Sequence, residues 1–115
     1  MPSSPLPSAD FPVDLDHLKR MTSGEASLEH EVLQLFLRQT SRLVEALDQQ
    51  SAQAGALAHT LKGSAQAIGA FHLAGSAAAL EEAIRHGRDG ALELAQLRAT
   101  VAEARGAVEA LLRRS

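Results

Sequence analysis

His59, Lys62 and Gly63 stand three and four residues apart in the run Ala58-His59-Thr60-Leu61-Lys62-Gly63-Ser64-Ala65. On a helix those spacings place all three side chains on one face. The imidazole can act as a nucleophile, and the Lys62 ammonium supplies a cation where an anion attached to the ring would sit. Gly63 leaves the space over the ring open. A glycine inside a helix costs roughly 1 kcal/mol relative to alanine, so its position beside a histidine points to a need for room. The chemistry that suits this trio is a phosphoryl group carried on the ring.

These residues need a helix that shows them to solvent. Stepping about 100° per residue from Ala54 to Ile68 gathers Leu57, Leu61, Ser64, Ala65 and Ile68 into a sector of about 80°, the face a helix buries. His59 falls about 170° from the middle of that sector and is predicted to point outward. Gly69 is the expected C-cap.

The same periodicity yields the neighbouring helices. A short one is expected over about Val13 to Met21, presenting Val13, Leu15, Leu18 and Met21. Thr22 and Glu25 have capping-box spacing and Ser27 is a second candidate N-cap, so the next helix is expected to start between Ser23 and Leu28 and to run to about Gln50. Leu28, Val32, Leu35, Phe36, Leu43 and Leu47 form its main stripe, widened by Leu33, Leu37 and Val44. A turn over 49–53 precedes the His59 helix. A further helix is expected to reach about His86 with Leu73, Ala77, Leu80 and Ile84 on one face, and Gly87 to Gly90 break the pattern. The last helix, about Ala91 to Arg113, aligns Leu94, Leu97, Val101, Val108 and Leu112.

The expected fold is therefore all-α: an antiparallel up-down four-helix bundle with a short additional N-terminal helix, spanning 12–115. Residues 1–11, with Pro2, Pro5 and Pro7 among serines, read as a flexible Pro/Ser-rich lead-in.

Composition narrows the function. The 115 residues suffice for one modest core and leave no room for a nucleotide-binding domain beside the helices, so a phosphoryl donor has to be another protein or domain. Hydrophobic residues make up 45% but aromatics only 3%, which suits closely packed helices rather than sheets. A net charge of -3 argues against nucleic acid as the main ligand. There is no cysteine, which excludes disulfides, thiolate metal sites and a cysteine nucleophile. No stretch approaches the roughly 20 apolar residues needed to span a bilayer, and the start has no signal-peptide pattern, so the cytoplasm is the expected compartment.

The central block resembles the histidine-containing phosphotransfer (HPt) domains, a family that includes the related N-terminal domain of chemotaxis kinases. The resemblance is carried by Ala58 to Ala65, then Gly69-Ala70, Leu73 and Leu80-Glu81, with Val32 to Leu37 similar to the family's first bundle helix; it covers roughly 13–113. It implies a monomeric carrier that takes a phosphoryl group from the aspartate of one receiver domain, such as that of a hybrid histidine kinase, and passes it to that of a response regulator. His59 would be the acceptor through Nε2, and Lys62 would steady the phosphohistidine oxygens. Gly63 would admit the receiver. The domain itself needs no cofactor, because the receiver supplies the magnesium. In the chemotaxis branch a glutamate 22 residues after the acceptor orients the ring through Nδ1, and Glu81 has that spacing. Gln66, one turn beyond Lys62 and Gly63, is a candidate contact with the receiver, and Ala56, Ala67 and Ala70 are candidate small apolar contacts around the site.

Three other functions compete. A metal-binding bundle needs converging ligands, and His59 lacks a partner four residues on. The dimerisation domain of a sensor kinase usually follows its histidine with an acidic residue and later a kinking proline; here Thr60 follows and no proline occurs after Pro12. A helical adaptor would bind receivers without accepting phosphate, as relatives without the histidine do.

Overall fold

The computed structural model describes residues 11–49 and 52–114; the lead-in expected over 1–11 lies outside them except for Phe11, as does part of the turn expected over 49–53. The described secondary structure is entirely helical: α1 (Leu15–Met21), α2 (Ala26–Gln49), α3 (Ala54–Ile68), α4 (Phe71–Arg85) and α5 (Ala91–Arg114). No helix among the described residues is long and apolar enough to cross a membrane.

The short first helix begins two residues later than its apolar pattern suggests. Asp14 is the N-cap, its carboxylate accepting from the His17 backbone N–H at 3.1 Å. Val13 lies just before the helix and is wholly buried. The capping box expected at Thr22 and Glu25 does not form. Thr22 instead ends α1, donating its hydroxyl to the Leu18 carbonyl at 2.9 Å, and its carbonyl accepts from the Glu25 N–H at 3.0 Å.

The buried face of α2 is rotated from its expected position. Leu28 and Leu35 are 38% and 44% exposed, whereas Leu33, Phe36, Thr40 and Leu47 are buried. On a helical wheel Leu35 lies about 130° from the centre of that buried set. Thr40 occupies the centre because its hydroxyl is satisfied locally: it donates back to the Phe36 carbonyl at 2.9 Å and accepts from Arg105 of α5 at 2.7 Å.

Helix α3 packs against α2 and α4, α5 packs against the same two helices, and α1 lies on α3. Pairs across the contacts fix the register. Gln39 meets Ser64 between α2 and α3, His59 meets Glu81 between α3 and α4, and Arg98 pairs with Asp48 between α5 and α2. The core joins Leu33, Phe36, Leu61, Leu73, Leu97 and Val108 with alanines that let the helix axes come close.

At the α3–α4 corner, Gly69 has φ +83° and caps α3, while the Ala70 N–H reaches back to the Ala65 carbonyl at 2.8 Å. The Asp14 N–H donates to the Gly69 carbonyl at 2.9 Å, and a Cβ at residue 69 would lie 3.0 Å from the Asp14 carbonyl oxygen. One glycine thus both turns the chain and seats α1.

Candidate functional site

His59 projects from the middle of α3 with 67% of its side chain exposed. Ala58 beside it is fully buried, as are Leu61 and Ala65, so the packed stripe of α3 anchors the helix while the next residue round faces solvent. Leu57 and Ser64, expected within the stripe, sit half-buried at its edge.

Glu81 reaches across from α4. Its Oε2 lies 2.9 Å from His59 Nδ1 and its Oε1 accepts from Lys62 Nζ at 2.9 Å. The Lys62 ammonium holds the Glu81 carboxyl below the usual carboxylate range; partial burial works the other way, and the His59 hydrogen bond adds to the lowering. An ionised carboxylate only accepts, so Nδ1 carries the proton it donates, and in the neutral ring the lone pair resides on Nε2. Nε2 has no hydrogen-bond partner among the described residues.

The structure therefore brings together His59, Lys62 and Glu81, which the sequence places up to 22 residues apart. Lys62 differs from its expected attitude. It is half-buried and turned onto Glu81 rather than free over the ring. Gly63 is exposed, and a Cβ there would meet nothing within 4 Å, so no packing among the described residues requires a glycine. Gln66 is exposed on the next turn, and Ala67, half-buried, accepts at its carbonyl from His17 Nε2 at 3.2 Å. His17, Arg20 and Met21 of α1 meet Gly63, Gln66 and Ala67 around a shallow depression. Ala56 is exposed on the turn before His59. Ala70 is corrected: it is completely buried in the α3–α4 corner and offers no surface to a partner.

Arg85 is a neighbour that the sequence reading passed over. Its guanidinium lies 3.7 Å from Glu81 Oε2 and 2.8 Å from Glu82 Oε1. The signal was its position four residues after Glu81, one turn along the same face. Two cations therefore flank the carboxylate that holds the ring. Among the described residues no group of three or more histidine, aspartate or glutamate side chains is arranged to hold a metal ion.

A family model described as the Hpt domain matches residues 31–114. The chain belongs to the Hpt domain family. No curated protein and no solved structure gave a significant match.

Proposed function

We propose that this chain is a phosphoryl carrier of a two-component phosphorelay, with His59 as acceptor between the aspartates of two receiver domains. The observation that supports it best is the Glu81–Nδ1 contact of 2.9 Å on a ring that is otherwise exposed. It leaves Nε2 as the free nucleophile, aimed away from the fold.

In the forward step the Nε2 lone pair attacks the phosphorus of a receiver's aspartyl phosphate. The P–N bond forms as the P–O bond to the aspartate breaks, and the carboxylate leaves with its electron pair. The ring becomes a phosphoimidazolium whose Nδ1 proton stays hydrogen-bonded to Glu81, so the new positive charge develops against a fixed negative one. The reverse step returns the phosphoryl group to a second receiver. Lys62 fixes Glu81 in the free protein and adds positive charge next to the carboxylate that holds the ring, and Arg85 adds positive charge at the carboxylate's other oxygen, which favours an incoming phosphate. Phosphoryl transfer depends mainly on positioning and charge, and here the receiver contributes the magnesium and its acidic site. The chain is a carrier and co-substrate rather than an enzyme.

In this reading α2 to α5 form the antiparallel up-down four-helix bundle of a monomer with α1 as an added cap, residues 12–115 are one domain, and the protein works in the cytoplasm with hybrid-kinase and response-regulator receivers. The test is incubation with a phosphorylated receiver domain. An acid-labile, base-stable label on the chain, absent in His59→Gln, is expected. Label persisting in that variant moves the site elsewhere, and receiver binding without any label makes the chain an adaptor.

A further inference from the structure

A hollow of about 240 Å³ opens where α1 meets the first turn of α2 and the last turn of α5. Leu15 and Leu111 give it an apolar floor, the first half-buried and the second 9% exposed, and Lys19, Glu29 and Arg114 stand round it. None of these residues belongs to the His59 site. Lys19 Nζ lies 3.9 Å from Glu29 Oε1, whereas among the described residues no carboxylate pairs with Arg114. The rim therefore keeps a net positive charge in a chain whose total is -3.

Residues 1–10 lie outside the described part of the chain and lead into this region. Phe11 is half-buried against the core, and Leu15, four residues on, already lines the hollow. Four residues span at most about 14 Å. Leu6 precedes Phe11 by five residues, and in the extended form that Pro5 and Pro7 favour five residues reach about 15 Å. Leu6 can therefore return to the hollow without any helix moving. Met1 apart, it is the one large apolar side chain among residues 1–10, and Asp10 is the one charged side chain.

We infer that the hollow is a docking site for the chain's own N-terminal segment: Leu6 enters between Leu15 and Leu111, and the Asp10 carboxylate meets the cationic rim. The prolines on both sides of Leu6 have fixed φ, so the segment has less freedom to lose on docking than an ordinary stretch of chain. A short tether holds it at an effective concentration of about millimolar, which favours it over the same segment of a second copy. Arg114 and Lys19 give the attraction the sign that an acidic residue needs. Docked in this way, the segment bridges α1 to α5 and holds α1 on α3, where Arg20 and Met21 border Gly63. The inference does not depend on the phosphotransfer reading.

The chain contains no cysteine, so a spin label attached to Ser4→Cys sits at one place in the full chain. Selective loss of the amide NMR signals of Lys19, Glu29 and Leu111 is expected. Leu6→Asp should abolish that loss, Leu6→Ile should preserve it, and Arg114→Glu should weaken it. Hydrogen exchange gives a second readout. In Leu6→Asp the amides of Leu18 and Thr22, which bond to the Asp14 and Leu18 carbonyls at 3.0 Å, should exchange faster because α1 has lost its strap. Mixing spin-labelled chains with isotope-enriched, unlabelled ones separates the occupants: a loss that crosses between chains assigns the hollow to a second copy and overturns the inference. It is also overturned by a loss spread evenly over the surface, by one centred elsewhere, as at Gly63 and Gln66, or by one unchanged in Leu6→Asp.

Discussion

Lys62 and Glu81 form a close charged contact beside His59, Nζ to Oε1 at 2.9 Å, with 27% and 16% of their side chains exposed. The lysine thereby acts on the ring at one remove: it fixes the carboxylate that fixes Nδ1. A residue that looked from its spacing like a free phosphate ligand is already engaged before any phosphate arrives. To bond a phosphoryl oxygen directly it has to share or surrender Oε1.

Lys62→Ala should therefore slow phosphoryl uptake from a receiver by about ten- to a hundredfold, the scale of loss that follows from slight misplacement of a reacting group. Helical circular dichroism should stay unchanged, since the core residues of α3 are untouched. Uptake kinetics at several receiver concentrations check this, with the loss expected in kcat more than in KM.

Glu81→Gln keeps the shape and removes the charge. The proton of the neutral His59 ring should then divide between the two nitrogens instead of residing on Nδ1, visible as a change in the ring ¹⁵N shifts. Phosphohistidine should form more slowly because the developing imidazolium loses its counter-charge.

Acid should dissolve the same contact in a defined direction. Glu81 has its folded pKa depressed, first by the Lys62 hydrogen bond. Whatever stability this contributes is present in full above the ordinary carboxylate pKa and disappears as pH falls through the lower folded value. The difference in melting temperature between the unaltered chain and Glu81→Gln should accordingly be constant near neutrality and shrink in acid, as thermal melts over a pH series will read out.

Gly63→Leu tests whether the empty space over the ring belongs to a partner. Nothing among the described residues contacts a Cβ there, and leucine is the better helix former by under about 1 kcal/mol. The melting temperature should hold or rise while transfer from a receiver falls sharply. Phosphoramidate should label the variant far better than a receiver does.

Gly69→Ala should cost stability instead. The left-handed φ of +83° and the approach of the Asp14 carbonyl oxygen to 3.0 Å both oppose a side chain. The conformational penalty alone is about 1–2 kcal/mol, and denaturant unfolding should show it. Loss of protection at the Asp14 amide in hydrogen exchange would locate the damage at the seat of α1.

Much of this arrangement was legible in the chain. The bounds of α3, its outward histidine and the cap at Gly69 follow from period and residue type, because one face of that helix is apolar and the other is not. Glu81 was legible as a spacing, but the sharing of its two oxygens between His59 and Lys62 was not, since it depends on how deeply α3 and α4 interlock. The face of α2 was misplaced for a similar reason. Leucines at 28 and 35 outweigh a threonine at 40 on any hydropathy scale, yet the threonine satisfies its own hydroxyl and Arg105 completes it from α5. Ala70 illustrates the reverse limit: a small apolar residue near a site in sequence can lie behind it in space.

The bare nitrogen of His59 lies on one side of the molecule only, with its twin held by Glu81. A carrier built this way has a single berth. Under the proposed function donor and recipient have to visit it in turn, so an excess of either unloaded partner should throttle the relay by occupancy, and the order of events is a shuttle rather than a three-body handover.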